Sequence, residues 1–152
     1  MSDVDAMVAW LRSVWDADEQ AARAATDGPW EIDEDGGIQG RRPGMSPDPE
    51  MDPMVDVDDR ESGDRTHMAR HDPRDTLTRI QAERRIVDQY EQARKAASDE
   101  RLKYRGSSGD TSSVLLTMMH EHDSIISTLE QAVRALASGY RHRAGWQQGW
   151  AP

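Results

Sequence analysis

Val4, Met7, Val8, Leu11, Val14 and Trp15 recur at steps of three and four, while Asp5, Arg12, Asp16 and Glu19 fall between them. Residues spaced this way share one face of a helix, so the pattern predicts an amphipathic helix from about Asp3 to Ala25. Ser2, with Asp5 three residues on, would cap its start, and Asp27-Gly28-Pro29 would stop it. After the stop the apolar positions thin out. Trp30-Glu31-Ile32 and Ile38-Gln39 flank Asp35-Gly36-Gly37, a short antiparallel β-hairpin in which glycine supplies the positive φ of the turn. Met54-Val55-Asp56-Val57 is expected to add a third strand, giving a small sheet backed by the first helix.

The second half of the chain returns to helical spacing. Asp72-Pro73 marks its start: Asp72 suits the N-cap, Pro73 the first helical position where a missing N–H costs nothing, and Asp75 the first turn. The preceding THMARH is expected as a short helix of its own. From Pro73 a long helix is predicted to about Tyr104, with Leu77, Ile80, Val87 and Tyr90 inward. Beyond a Gly/Ser loop, Leu115, Met118, His122, Ile125, Leu129, Ala132 and Leu136 alternate steps of three and four, a heptad seam. Residues 113–138 should therefore form a helix that pairs antiparallel with the previous one. Gly139 ends it, and Trp146 and Trp150 follow four apart in the tail. The fold class expected is mainly α with a small β element (α+β). Its parts are residues 1–40 (helix and hairpin), 41–63 (acidic, proline-rich linker) and 64–152 (short helix, long helical hairpin, tail), together one compact domain.

Composition qualifies this picture. Leu, Ile and Val total only 21 of 152 residues, Phe is absent, and the net charge is −10. Such values border on those of disordered chains, so the cores should be modest and rich in Trp, Met and Ala, with a partner chain available to complete the burial. The charge is uneven: residues 1–64 hold 18 acidic and 5 basic side chains, residues 65–152 hold 11 and 14. An acidic half disfavours nucleic acid and favours solubility or a basic partner surface. Without cysteine there are no disulfides, thiolate metal sites or Cys nucleophiles. No apolar run spans a membrane and no secretory leader is seen, so a cytoplasmic location is expected.

Few residue constellations point to chemistry. Glu31 to Arg42 mimics a calcium loop, but Arg42 stands where a bidentate Glu is required and Gly28-Pro29 prevents an entering helix. His67 and His71 lie four apart, on one helical face, a spacing that can hold zinc, and His120 offers a further imidazole. A metalloprotease helix would need Glu after the first His, and Met68 stands there. The chain is accordingly read as having no cofactor and no metal, with His67, His71 and His120 as the residues such a site would use. Ser107, Ser108, Ser112 and Ser113 lack a base at fixed spacing, and RGSSGDTSS lacks the Lys-Ser/Thr end of a phosphate loop. The arginines of the long helix alternate with Glu83, Asp88 and Glu91, as on a solvated or internally paired face. Trp146 and Trp150 would either anchor a partner or fold back over the helices.

The segments DEQAARAATDGPW, THMARHDPRDTLTRIQAERRIVDQYE and LEQAVRALASGYRHRAGWQQGWAP resemble an uncharacterised family of actinobacteria and their phages. The first two also resemble the Ead-like accessory proteins of lambda-type phages. The resemblance falls on Gly28, Pro29, Trp30, His67, Ala69, His71, Asp72, Pro73, Arg84 and Arg85. It departs at Ala137-Ser138-Gly139-Tyr140, which lacks a Pro, and at Gln147-Gln148, which are neutral. What it implies is a phage or prophage accessory product.

Together these readings describe a non-enzymatic interaction protein whose partner is a host or self protein, homo-oligomers included, with no membrane. The alternatives are a His-dependent metal-binding protein or hydrolase, and an acidic nucleic-acid mimic built on residues 1–64. Gly28, Pro29, Trp30, Ala69, Asp72 and Pro73 are expected to form a structural joint, with Trp30 against Met68 or Ala69.

Overall fold

The computed structural model describes residues 2–25, 28–32, 34, 36–40, 62–105 and 113–152. It is mainly helical, as the periodicity predicts. The elements in order are α1 (Asp3–Ala24), β1 (Trp30–Ile32), β2 (Ile38–Gly40), α2 (Ser62–Arg70), α3 (Pro73–Arg105), α4 (Ser113–Gly139) and a 3₁₀ turn at Gln148–Trp150. The expected third strand at Met54–Val57 and the loop serines Ser107, Ser108 and Ser112 lie outside the described residues. Among the described residues no helix is long and apolar enough to cross a membrane.

The chain divides into two compact units, residues 1–14 with 82–152 and residues 15–81, whose limits fall inside α1 and α3. In the first unit the buried apolar residues are Val4, Met7, Val8 and Leu11 of α1, Val87, Tyr90 and Ala97 of α3, Val133 and Ala137 of α4, and Tyr140 and Trp150 beyond it. Here α1 starts as its sequence dictates. The Asp5 amide donates to Ser2 Oγ (3.2 Å) and the Ser2 amide to Asp5 Oδ2 (2.9 Å), a reciprocal cap that satisfies two otherwise orphaned donors. Side chains link α3 to α4 in opposite sequence order. The Tyr140 hydroxyl donates to Glu83 (2.5 Å), while Glu100 meets His122 (3.0 Å) and Arg101 meets Asp123 (2.5 Å).

In the second unit β1 and β2 pair antiparallel, Trp30 opposite Gly40 and Ile32 opposite Ile38, and α2 packs against β1. Gly36 has φ +84°, and a Cβ there would lie 1.7 Å from the Arg65 guanidinium. The positive φ of the turn favours glycine at this position, and a Cβ there would also oblige the Arg65 side chain to swing aside. Trp15, Ala22, Ile38 and Ile80 are the buried apolar residues of this unit.

Candidate functional site

In the second unit, the Gly28-Pro29-Trp30 corner and the start of α3 meet at one carboxylate. Asp72 is 4% exposed. Its Oδ1 accepts the Asp75 amide (2.8 Å), the N-cap bond expected ahead of Pro73, and its main-chain oxygen accepts the Thr76 amide (3.0 Å). Its Oδ2 accepts the Trp30 amide (3.2 Å), forty-two residues away. Gly28, joined to Pro29 by a cis peptide bond, lies so close that a Cβ would sit 2.7 Å from Oδ2. The sequence shows Asp72 as a cap; it gives no sign that the same side chain ties the Gly28-Pro29-Trp30 corner. The joint therefore runs through the Asp72 carboxylate.

The histidines singled out by spacing are placed as follows. His67 lies in the last turn of α2 and His71 one residue past its end, both exposed, with ring centres 4.4 Å apart and planes tilted by 55°. His120 is an exposed residue of α4, in the other unit. Among the described residues no three or more His, Cys, Asp or Glu side chains are gathered to hold a metal ion.

In the first unit the tail folds onto α1. Trp10, Trp146 and Trp150 are mutually in contact, with ring centres 5.6, 5.2 and 5.7 Å apart, the last pair edge to face. The Trp10 indole N–H donates to the Ala144 carbonyl (2.8 Å), and that of Trp150 to Asp3 Oδ1 (3.0 Å). Gly145 has φ +87°, and a Cβ there would lie 2.9 Å from Trp10 Nε1. Trp150 is 1% exposed, so its ring is spent inside the unit and offers a partner nothing; Trp146 keeps part of its surface. Periodicity missed Trp10 because it lies off the α1 stripe, on the side that should face water. An indole in that position, with two Gly-Trp pairs in the tail, was the available signal.

Between α1 and α3 lies a cleft of about 210 Å³ lined by Asp5, Val8, Ala9, Arg12, Tyr90, Glu91 and Arg94. Its charges are matched within the walls. Arg94 bonds Asp5, and Arg12 reaches Asp88 (3.0 Å) and Glu91 (2.8 Å). The Arg94 guanidinium, aided by the hydroxyl and amide of Ser2, holds the Asp5 carboxyl well below the usual carboxylate range, and Asp5 in turn raises Arg94. Burial pushes the Tyr90 hydroxyl up. The volume falls below the roughly 300–1,000 Å³ of ligand pockets, and the arrangement is a clamp that joins the α1 cap to α3.

The face of α4 differs from the seam its heptad predicts. The inward residues are Val133 and Ala137, whereas Met118 and Ile125 of the seam are 38% and 50% exposed. At about 100° per residue, Met118 and Ile125 trail Val133 by about 60–80° around the helix. The apolar sector is wide, and the unit covers one edge of it. Leu129, Ala132 and Leu136, half-buried, continue the open edge. His122, assigned to the core by spacing, is half-buried and meets Glu100.

No match was found among curated proteins or solved structures. The family described as "Family of unknown function (DUF6221)" matches residues 4–152, nearly the whole chain, so the protein belongs to that family.

Proposed function

We propose that this member of a family of unknown function is a non-enzymatic protein-interaction module whose α4 edge docks the same edge of a second copy of the chain. The observation that carries the reading is the exposure of Met118 and Ile125 on a stripe that continues through Leu129, Ala132 and Leu136. Such spacing is that of a helix seam, which associates by knobs-into-holes packing when a second helix covers it. On one side the framing side chains Thr117, Ser124, Thr128 and Gln131 are uncharged and Glu121 is the charge beside them, and on the other side His122 is already matched to Glu100, in a chain of net charge −10. Depletion of charge is what distinguishes an interface core from ordinary surface. A second copy placed across a two-fold axis would juxtapose mostly apolar and uncharged groups here.

The test is sedimentation equilibrium of the full chain and of Ile125→Glu. The wild type is expected at twice its 17.1 kDa mass and the variant at that mass, with equal helical content by circular dichroism. A wild type that stays at the single mass across the micromolar range refutes self-association through this edge.

A further inference from the structure

We propose that His67 and His71 form a two-imidazole chelate for a divalent transition ion, with copper(II) held most tightly. Three observations lead there. The first is distance. With metal–nitrogen bonds of about 2.0–2.1 Å and ring nitrogens about 1.1 Å from the ring centre, two imidazoles on one square-planar or tetrahedral ion have centres about 4.5–5.2 Å apart. The observed separation is 4.4 Å, so the two rings already stand within an ångström of the span a shared ion demands.

The second observation is preorganisation. His67 is fixed by α2, and the amide of His71 donates to the Met68 carbonyl (3.1 Å), tightening the chain just past the helix end. Asp72, the next residue, is buried and held by bonds from Asp75 and Trp30. The two imidazoles therefore hang from a backbone set by the joint, and little freedom is lost when an ion draws them together. The third is access. Both rings are exposed, and the exposed carboxylates Asp64 and Asp75 lie one turn before His67 and one turn after His71, while the nearby cations Arg70 and Arg74 also face solvent. An ion held here keeps open positions for water or an outside donor, because no third protein ligand is gathered among the described residues.

The chemistry selects the ion. Imidazole nitrogen suits copper, nickel and zinc, and divalent affinity peaks at copper(II). A packed pair of surface rings would account for the 4.4 Å spacing without any ion, and the two explanations differ in what a titration reads. Copper(II) is added to the full chain, followed by visible absorption and by electron paramagnetic resonance, for the wild type and for His67→Ala, His71→Ala and His120→Ala.

The wild type is expected to take up one ion with coupling to two imidazole nitrogens. His67→Ala and His71→Ala should each weaken it at least tenfold and to a similar extent, because either change destroys the chelate. His120→Ala should leave it unchanged. The substituted residues are at the surface, and circular dichroism verifies that the fold is kept. Equal affinity in the wild type and either of the first two variants overturns the proposal, as does loss of binding in His120→Ala. None of these outcomes bears on self-association through α4.

Discussion

Replacing Asp72 by Ala removes two bonds made by one buried carboxylate, and the structure sets the size of the loss. The cap on the Asp75 amide is worth about 0.5–2 kcal/mol. The partly buried Trp30 amide then has no acceptor, at a cost of about 1–3 kcal/mol. The two share a side chain and are not independent, so a total of about 2–4 kcal/mol is expected. Asp72→Asn keeps one carbonyl acceptor but presents N–H groups to one of the two donors, and should lose about half as much.

Gly28 supplies the control. In the wild type Gly28→Ala drives a methyl to within 2.7 Å of the carboxylate and is expected to destabilise by about 1–3 kcal/mol. In the Asp72→Ala background the obstacle is gone. The same substitution should then be neutral, or stabilise by about 0.4–1 kcal/mol through the less flexible unfolded chain. Urea unfolding of the four proteins of this cycle measures the coupling. If Asp72→Ala falls within about 0.5 kcal/mol of the wild type, the level of an ordinary surface change, the joint is not where the chain is tied. If the Gly28→Ala penalty persists without Asp72, the contact is not its cause.

Two further outcomes follow from the first unit. Asp5 is held below its ordinary value of 3.8 chiefly by Arg94. A depressed carboxyl contributes stability that is complete above that value and is lost as pH falls through the lower, folded-state one. The melting temperatures of the wild type and Asp5→Asn should accordingly differ most above about pH 5 and converge as pH falls below about 3. A gap that widens in acid would contradict the assignment. Trp150→Ala empties a fully buried indole site and should cost about 3–5 kcal/mol, with loss of near-ultraviolet dichroism from the three contacting indoles. An unchanged near-ultraviolet spectrum would mean that the tail does not pack on Trp10.

The helices were legible in the sequence wherever their signals were local. Ser2 and Asp5 announce the start of α1, and Asp72-Pro73 announces α3, because a cap is a matter of three or four adjacent residues. The clamp of Arg94 on Asp5 and the meeting of Trp10 with Trp146 and Trp150 were not, since these partners lie 89 to 140 residues apart and no periodicity links them. The α4 seam is an intermediate case. Its spacing was right for an apolar stripe, but spacing alone does not say which edge of a wide stripe the fold covers. The same holds at the histidines: four-residue spacing puts two rings on one side, but it does not give the 4.4 Å separation of their centres, which follows from the backbone just past the end of α2.

The tail cluster also governs when the first unit can form. Its earliest residues, Met7, Val8 and Leu11 among them, are buried with side chains from beyond residue 82, and Trp150 bonds Asp3 across 147 positions. The second unit is one unbroken stretch, residues 15–81. During synthesis at about 5–20 residues per second it emerges whole, while the opening half of α1 waits roughly 7–28 s for the last of its partners. Val87, Tyr90 and Ala97 of α3 reach the apolar face of that half helix first, and its cover is complete only when the last tryptophan arrives.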